Sequence, residues 1–318
     1  MAGVTDRAYR VLLRELGAGW VFTELVSSEA FFHGSKRTLE MIDWSEDEGP
    51  CSVQIFGADP VKCATLSKAA VERGAAGIDI NFGCPVPKVA KQGAGAGALR
   101  NLGLMEQVCS EVREAIEVPL SIKIRMGWDR ESIVAEEVMG LAEKIGIDWV
   151  TVHGRTRDQG YTGQSDWEAM TTLAENSSVL VVGNGDLRSE EEVLERLKES
   201  PLAGVMVGRA LLVDPTMFGR LEARRAGKEP RRWTVHEILH RYRDLVAKFT
   251  HPKSALIRYK KFIIWLSYAH EEAHGFRRSL LRECEDMDDA LRRALSFFSP
   301  TEGPRSPKDL NFLKGGHG

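Results

Sequence analysis

The sequence predicts an α/β fold: a (β/α)8 TIM barrel whose first strand is missing at the N-terminus, followed by an all-helical C-terminal domain. Three observations carry that prediction. Short runs rich in β-branched and apolar residues recur at 20–23, 51–56, 77–81, 119–124, 147–153, 179–183 and 203–207. Segments of helical character separate them, and strands that alternate with helices build a parallel sheet. The alternation then stops after residue 219, and the remaining chain reads as helix.

Taken in order, the chain opens on Met1-Ala2-Gly3-Val4-Thr5-Asp6, which reads as the loop after a strand, and runs into a helix from Arg7 to Leu16. The first barrel strand is therefore expected upstream of residue 1, and with it a longer native N-terminus. Without that strand the barrel would have a gap with exposed edges. Helices are expected at 60–73, 105–116, 132–145 and 189–199, the last opened by Ser189 with Glu192 three residues on, a capping-box spacing. A joint rich in Gly, Pro and Arg from Arg225 to Trp233 leads into helical sequence from Val235 to about Phe298. The expected organisation is a catalytic barrel over 1–225, a helical domain over 233–298 and a poorly ordered tail over 299–318.

Composition narrows the functional classes. The chain has 318 residues, 43% hydrophobic and 28% charged, which is far from the signature of disorder. Its apolar runs are much shorter than the roughly 18 residues of a membrane-crossing helix, and no signal segment opens it, so a cytoplasmic protein with no membrane partner is expected. Cys51, Cys63, Cys84, Cys109 and Cys284 show no CxxC spacing, so neither a metal site nor a disulfide framework is expected. The net charge is only −3, but residues 220–261 hold 13 Lys and Arg against Glu222, Glu229, Glu237 and Asp244, a balance of +9 that leaves −12 for the rest.

In a barrel of this kind functional groups gather at the C-terminal ends of the strands. Those ends carry Glu24, Gln54, Asn81, Lys123 with Arg125, His153 with Arg155, Asn184, and Gly208 with Arg209. One polar residue at a strand end is usually a cap or an anchor; a series of them in the same position is a site. The most informative segment is DINFGCPVPKVAKQGAGAGAL, residues 79–99. Gly83 and Pro85 make a tight turn that leaves Cys84 exposed, whereas Cys51, Cys63 and Cys109 read as buried, inert thiols. Lys88 and Lys91 add positive charge beside Cys84, suited to orienting a phosphate or favouring a thiolate. Gly93, Gly95 and Gly97 read as a glycine-rich loop, a weak signal alone.

Gly183-Asn184-Gly185-Asp186 and Gly208-Arg209 follow the last two barrel strands, where barrels commonly hold phosphate. Arg209 would add charge-assisted bonds. With Lys123 and His153 on neighbouring strands, the rim suits a flavin ring as well as its phosphate. An FMN site is the natural reading.

The chain resembles the bacterial tRNA-dihydrouridine synthase family. The resemblance rests on MAGVTD, TELVSSEA, VQIFG, the Gly-Cys-Pro segment, IKIRMGWD, TVHGRTRDQGYTG, GNGD and GVMVGRAL, over residues 1–211, and more loosely on Lys260-Lys261-Phe262, Trp265, Gly275 and Arg277. It implies that NADPH reduces FMN, that hydride passes to C6 of a uracil in a tRNA D-loop, and that Cys84 protonates C5. It implies cofactor contacts from Met1, Ala2, Gly3, Gln54, Lys123, His153, Asn184, Gly185, Asp186, Gly208 and Arg209. Substrate contacts are implied for Glu24, Asn81, Lys88, Arg155 and Tyr161. The target base would be turned out of its loop, and the basic 220–261 segment would bind tRNA backbone. A monomer is expected.

The family shows GxGAAL after its cysteine, where this chain has Gly95-Ala96-Gly97-Ala98-Leu99; the extra glycine is expected to loosen the loop. Two rivals stand beside this reading. A flavin barrel acting on a free pyrimidine would need no basic helical domain, and a non-catalytic tRNA-binding protein would not need Cys84, Lys123 and His153.

Overall fold

The computed structural model describes residues 1–43, 46–198 and 200–313. Eight strand segments form one sheet: β1 (Val21–Phe22), β2 (Val26–Ser27), β3 (Cys51–Phe56), β4 (Gly77–Asn81), β5 (Leu120–Arg125), β6 (Trp149–His153), β7 (Leu180–Asn184) and β8 (Gly204–Met206). The order is β1-β3-β4-β5-β6-β7-β8, with β2 also on β3. Pairs from β2–β3 to β7–β8 are parallel. Seven sequential positions with helical crossovers are the sheet of a (β/α)8 fold. No pairing closes β8 onto β1 among the described residues.

The strand expected at 20–23 is β1, and a second short segment that was not expected, β2, follows it; both lie beside β3. Helix ends moved for local reasons. The helix expected at 105–116 is Leu102–Ala115, because the Asn101 side chain accepts from the Leu104 amide at 3.1 Å. The one expected at 132–145 is Ala135–Ile145, since Ile133 bridges to Gly127 and the Val134 amide donates to the Met126 carbonyl. At Ser189 only half of the capping box forms. The Glu192 amide donates to Ser189 Oγ at 3.3 Å, but the Glu192 carboxylate accepts from the amide and guanidinium of Arg188. The guanidinium is the stronger donor. A complete capping box opens the helix Val235–Phe249 instead, between Thr234 and Glu237.

Side chains alternate along the central strands. Val53, Ile55, Ile78, Ile80, Ile122, Ile124, Val150 and Val152 lie on one face and are almost wholly buried. The opposite face carries Ser52, Gln54, Asp79, Asn81, Ser121, Lys123, Arg125, Thr151 and His153. A barrel interior is ordinarily filled by branched apolar residues; here it is polar.

The chain divides into two compact units, Met1–Ala2 with Phe22–Asp186 and Val193–Val207, and Gly3–Val21 with Leu187–Glu192 and Gly208–Gly318. The second contains the helices Val235–Phe249, Pro252–Leu266, His274–Glu283 and Met287–Phe297 and the N-terminal helix Arg7–Glu15. Tyr9 anchors its core. Its ring lies edge-on to Tyr242, Phe262 and Trp265 at 6.2, 6.0 and 6.3 Å, and its hydroxyl donates to the Leu211 carbonyl at 2.8 Å.

In the tail, Phe312 stacks on Tyr268 at 4.5 Å and the Leu310 carbonyl accepts from Arg209 Nη1 at 3.0 Å. Residues 314–318 of the segment expected to be poorly ordered lie outside the described residues. No described helix is long and apolar enough to cross a membrane.

Candidate active site

Register brings the strand ends together. Asn81 pairs with Lys123, Arg125 with His153, His153 with Asn184, and Asn184 with Met206. Asn184 Nδ2 donates to the Met206 carbonyl at 2.8 Å, which holds its side chain across to β8.

Cys84 sits on a turn built from backbone. The Phe82 amide donates to the Lys123 carbonyl at 2.8 Å, and Asn81 Oδ1 accepts from the amides of Gly83 and Cys84 at 3.2 and 2.9 Å. Arg125 Nε donates to the Gly83 carbonyl at 3.0 Å. The glycine-rich stretch braces this turn from the other side. The Ala96 amide donates to the Cys84 carbonyl at 3.1 Å, and Ala94 to Leu99 are buried, most of them in a 3-10 helix over Gly95–Arg100. A Cβ on Gly97 would stand 2.2 Å from the Ala90 carbonyl oxygen, so glycine is required there. The expected loosening is not what the extra glycine does; it permits close backbone packing. The Cys84 thiol itself is half-buried and has no hydrogen-bond partner among the described residues.

Lys123 projects beside it. Its ammonium has no hydrogen bond or ion pair among the described residues. Burial and the neighbouring Arg125 lower its pKa to about 8, against the opposing pull of Asp79 and Cys84. A desolvated cation without a partner is a group shaped for a ligand. Arg125 is different, because its guanidinium donates to the carbonyls of Gly83, Thr156 and Gly160 and ties the loops after β4 and β6 together.

His153 is 7% exposed and shares a 3.4 Å contact between its Nε2 and Arg155 Nη1. A guanidinium can only donate, so in this contact Nε2 is on the accepting side. Gly185, at φ +129°, lies against the His153 ring and the Ser165 hydroxyl, with no room for a Cβ. Asp186 adopts φ +57°, rare for a residue with a side chain. Its carboxylate is held by Arg155, at 2.9 and 2.7 Å, and by the Ser165 amide at 2.9 Å.

Arg155 was expected to face the substrate. It is 3% exposed, and its donors go to Asp186 and to the Thr162 and Gly163 carbonyls at 3.0 and 2.6 Å. A fully engaged guanidinium organises the HGRTR loop rather than reaching outward. Glu24 is 7% exposed in the link between β1 and β2, whereas Lys88 is exposed and Tyr161 half-buried. Met1 is half-buried and Ala2 exposed; Gly3 takes φ +70° in the second unit. In that unit Gly208 also caps the short helix Arg209–Val213. Cys51, Cys63, Cys109 and Cys284 are buried, and burial pushes the Cys63 thiol up to about 11. No metal-binding cluster is present among the described residues.

Sequence reasoning missed Asp79, Ser121 and Ser165. Asp79 is fully buried in β4 and accepts from Ser121 Oγ at 2.6 Å and Gln54 Nε2 at 2.7 Å. The signal was present as a polar residue at every second position of β3, β4 and β5.

With the site in view, the relationships are informative. Residues 1–300 match the dihydrouridine synthase (Dus) family. The chain belongs to that family. It is 40% identical over 223 residues to tRNA-dihydrouridine synthase B of Pseudomonas aeruginosa, covering 70% of this chain and 67% of that one. The Xanthomonas axonopodis protein of the same name is 34% identical, covering 92% of this chain and 90% of its own. That of Pseudomonas syringae is 34% identical, covering 98% and 93%. The family's activity is the reduction of uridine to dihydrouridine, so a free thiol and an unpartnered cation lie together at the barrel end of an oxidoreductase.

Proposed function

We infer that this chain reduces a D-loop uridine of tRNA, with FMN as cofactor, NADPH as reductant and Cys84 as the proton donor. The observation that carries the reading is the pairing of two unengaged groups, the Cys84 thiol and the Lys123 ammonium, on a polar barrel face. The residues fit a flavin. Lys123 offers a desolvated cation to an electron-rich ring edge, Gly185 gives close backbone approach, and His153 lies against Arg155. Asn184, Gly185 and Asp186, with Gly208 and Arg209, are the proposed contacts for the ribityl chain and phosphate, and Met1, Ala2, Gly3 and Gln54 complete the proposed cofactor set.

Bound FMN, reduced by NADPH, would supply the hydride that adds at C6 of uracil. The C5=C6 double bond opens, and the electron pair left at C5 takes the proton from Cys84 Sγ. The resulting thiolate recovers a proton from solvent. Asn81, Lys88 and Tyr161 are the proposed uracil and ribose-phosphate contacts, beside Glu24. Arg155 acts through His153 and Asp186. A cytoplasmic setting supplies both NADPH and tRNA.

Mass spectrometry of tRNA incubated with the protein, FMN and NADPH tests the reading. One uridine should gain two hydrogens at a single D-loop position. Reduction of free uracil or uridine with no change in any tRNA would instead establish the small-molecule rival.

A further inference from the structure

Asp79 is fully buried and has no ion-pair partner among the described residues, although a buried carboxylate is costly. Its surroundings explain why a carboxylate sits there. Backbone amides can only donate, so the Asn81 side-chain atom facing the Gly83 and Cys84 amides must be the oxygen. The Asn81 amide nitrogen then faces Gln54, at 3.3 Å, and must donate to Oε1. Gln54 Nε2 is thereby turned to Asp79 and donates to Oδ2 at 2.7 Å. Ser121 Oγ supplies the second donor, to Oδ1, at 2.6 Å. Every bond in this chain has one allowed direction, and it runs from the Cys84 amide to the Asp79 carboxylate. Reversing Gln54 would set its NH2 against that of Asn81 and its oxygen against the Asp79 carboxylate, and reversing Asn81 would leave the Gly83 and Cys84 amides without their acceptor.

We propose that Asp79 is a positioning residue, the terminal acceptor of a directional hydrogen-bond chain through Gln54 and Asn81 that holds the Gly83-Cys84 backbone in the orientation from which the thiol delivers its proton. The catalytic part of this statement rests on the functional reading above; the structural part does not. Removing the acceptor leaves the Gln54 amide unsatisfied and free to invert, and the inversion propagates to the turn. An asparagine at 79 behaves differently. Its oxygen still accepts from Gln54, while its NH2 donates to Ser121 Oγ, a hydroxyl that can accept as well as donate.

The test compares Asp79→Ala, Asp79→Asn and wild-type protein by hydrogen exchange of the peptide carrying the Gly83 and Cys84 amides. It adds two stopped-flow rates: flavin reduction by NADPH and reoxidation of the reduced enzyme by tRNA. Asp79→Ala should speed exchange at these amides by about tenfold or more and slow reoxidation by about tenfold or more, with flavin reduction changed less than about threefold. Asp79→Asn should restore both towards wild type. Unchanged exchange in Asp79→Ala, or an Asp79→Asn variant as impaired as Asp79→Ala, overturns the proposal. If Asp79→Ala does not fold, Gln54→Met cuts the same chain one step later and must produce the same loss of protection at Gly83 and Cys84. A wild-type protein that leaves tRNA unchanged would refute the functional reading, while the exchange comparison would still decide the relay.

Discussion

At the scale of single residues, the site turns on which polar groups are engaged and which are not. Arg125 and Arg155 are fully engaged with the protein, while Cys84 and Lys123 are not. Cys84→Ala should therefore leave the fold and flavin content intact and lower dihydrouridine formation by about a hundredfold or more, the scale of a lost general acid; tRNA mass spectrometry reads the loss. Lys123, with a pKa of about 8, is protonated below that pH and neutral above it. Flavin reduction by NADPH, a step that does not use the Cys84 proton, should slow as pH rises through about 8, and Lys123→Met should abolish that dependence. Asp79 gives a separate signature in stability. Desolvation raises its pKa from 3.8 to about 6, so the folded state binds the proton more tightly than the unfolded one. Its contribution is present below pH 3.8 and lost as pH rises to about 6, an effect of order 3 kcal/mol. Urea unfolding across that window should show the fall, and Asp79→Asn should lack it.

At the scale of elements, the cysteine turn is held between β5 and the glycine-rich 3-10 helix. Gly97→Ala would drive a Cβ into the Ala90 carbonyl and should destabilise the protein by about 1–3 kcal/mol, seen as a lowered urea midpoint. Much of this was legible. The seven sequence runs match the observed strand positions to within two residues at nearly every end, because β-branched runs bounded by turns leave little freedom. The cysteine turn was legible from Gly-Cys-Pro. What was not legible was anything decided by competition between partners: the Ser189 capping box lost Glu192 to the Arg188 guanidinium, and Arg155 turned to Asp186 instead of outward. Local spacing cannot say which of two partners lies nearer in space.

At the scale of the whole molecule, the +9 of residues 220–261 needs revision. Carboxylates pair with Arg220, Arg224, Arg231, Arg241, Arg243 and Arg258, several of them from outside the segment: Glu190, Asp214, Glu15, Asp288 and Asp6. Arg225, Lys228, Arg232, Lys253 and Lys261 have no such side-chain partner among the described residues, and they are the charges available to a polyanion. Lys253→Glu with Lys261→Glu should weaken tRNA binding and flatten its salt dependence by about one unit of slope per lysine, as filter binding at graded salt would show. Arg241→Glu should act on folding stability instead, by breaking its pair with Glu15.

The sequence by itself determined the barrel order, the cysteine turn and the family, because periodicity, turn chemistry and motif spacing are local properties of the chain. Tertiary structure alone decided the rest. It chose which basic side chains are neutralised, which glycine is sterically required, and that a buried carboxylate in β4 sets the hydrogen-bond direction at Cys84. The physical reason is common to all three: each depends on the distance between groups far apart in the chain, and such distances exist only once the strands have come into register.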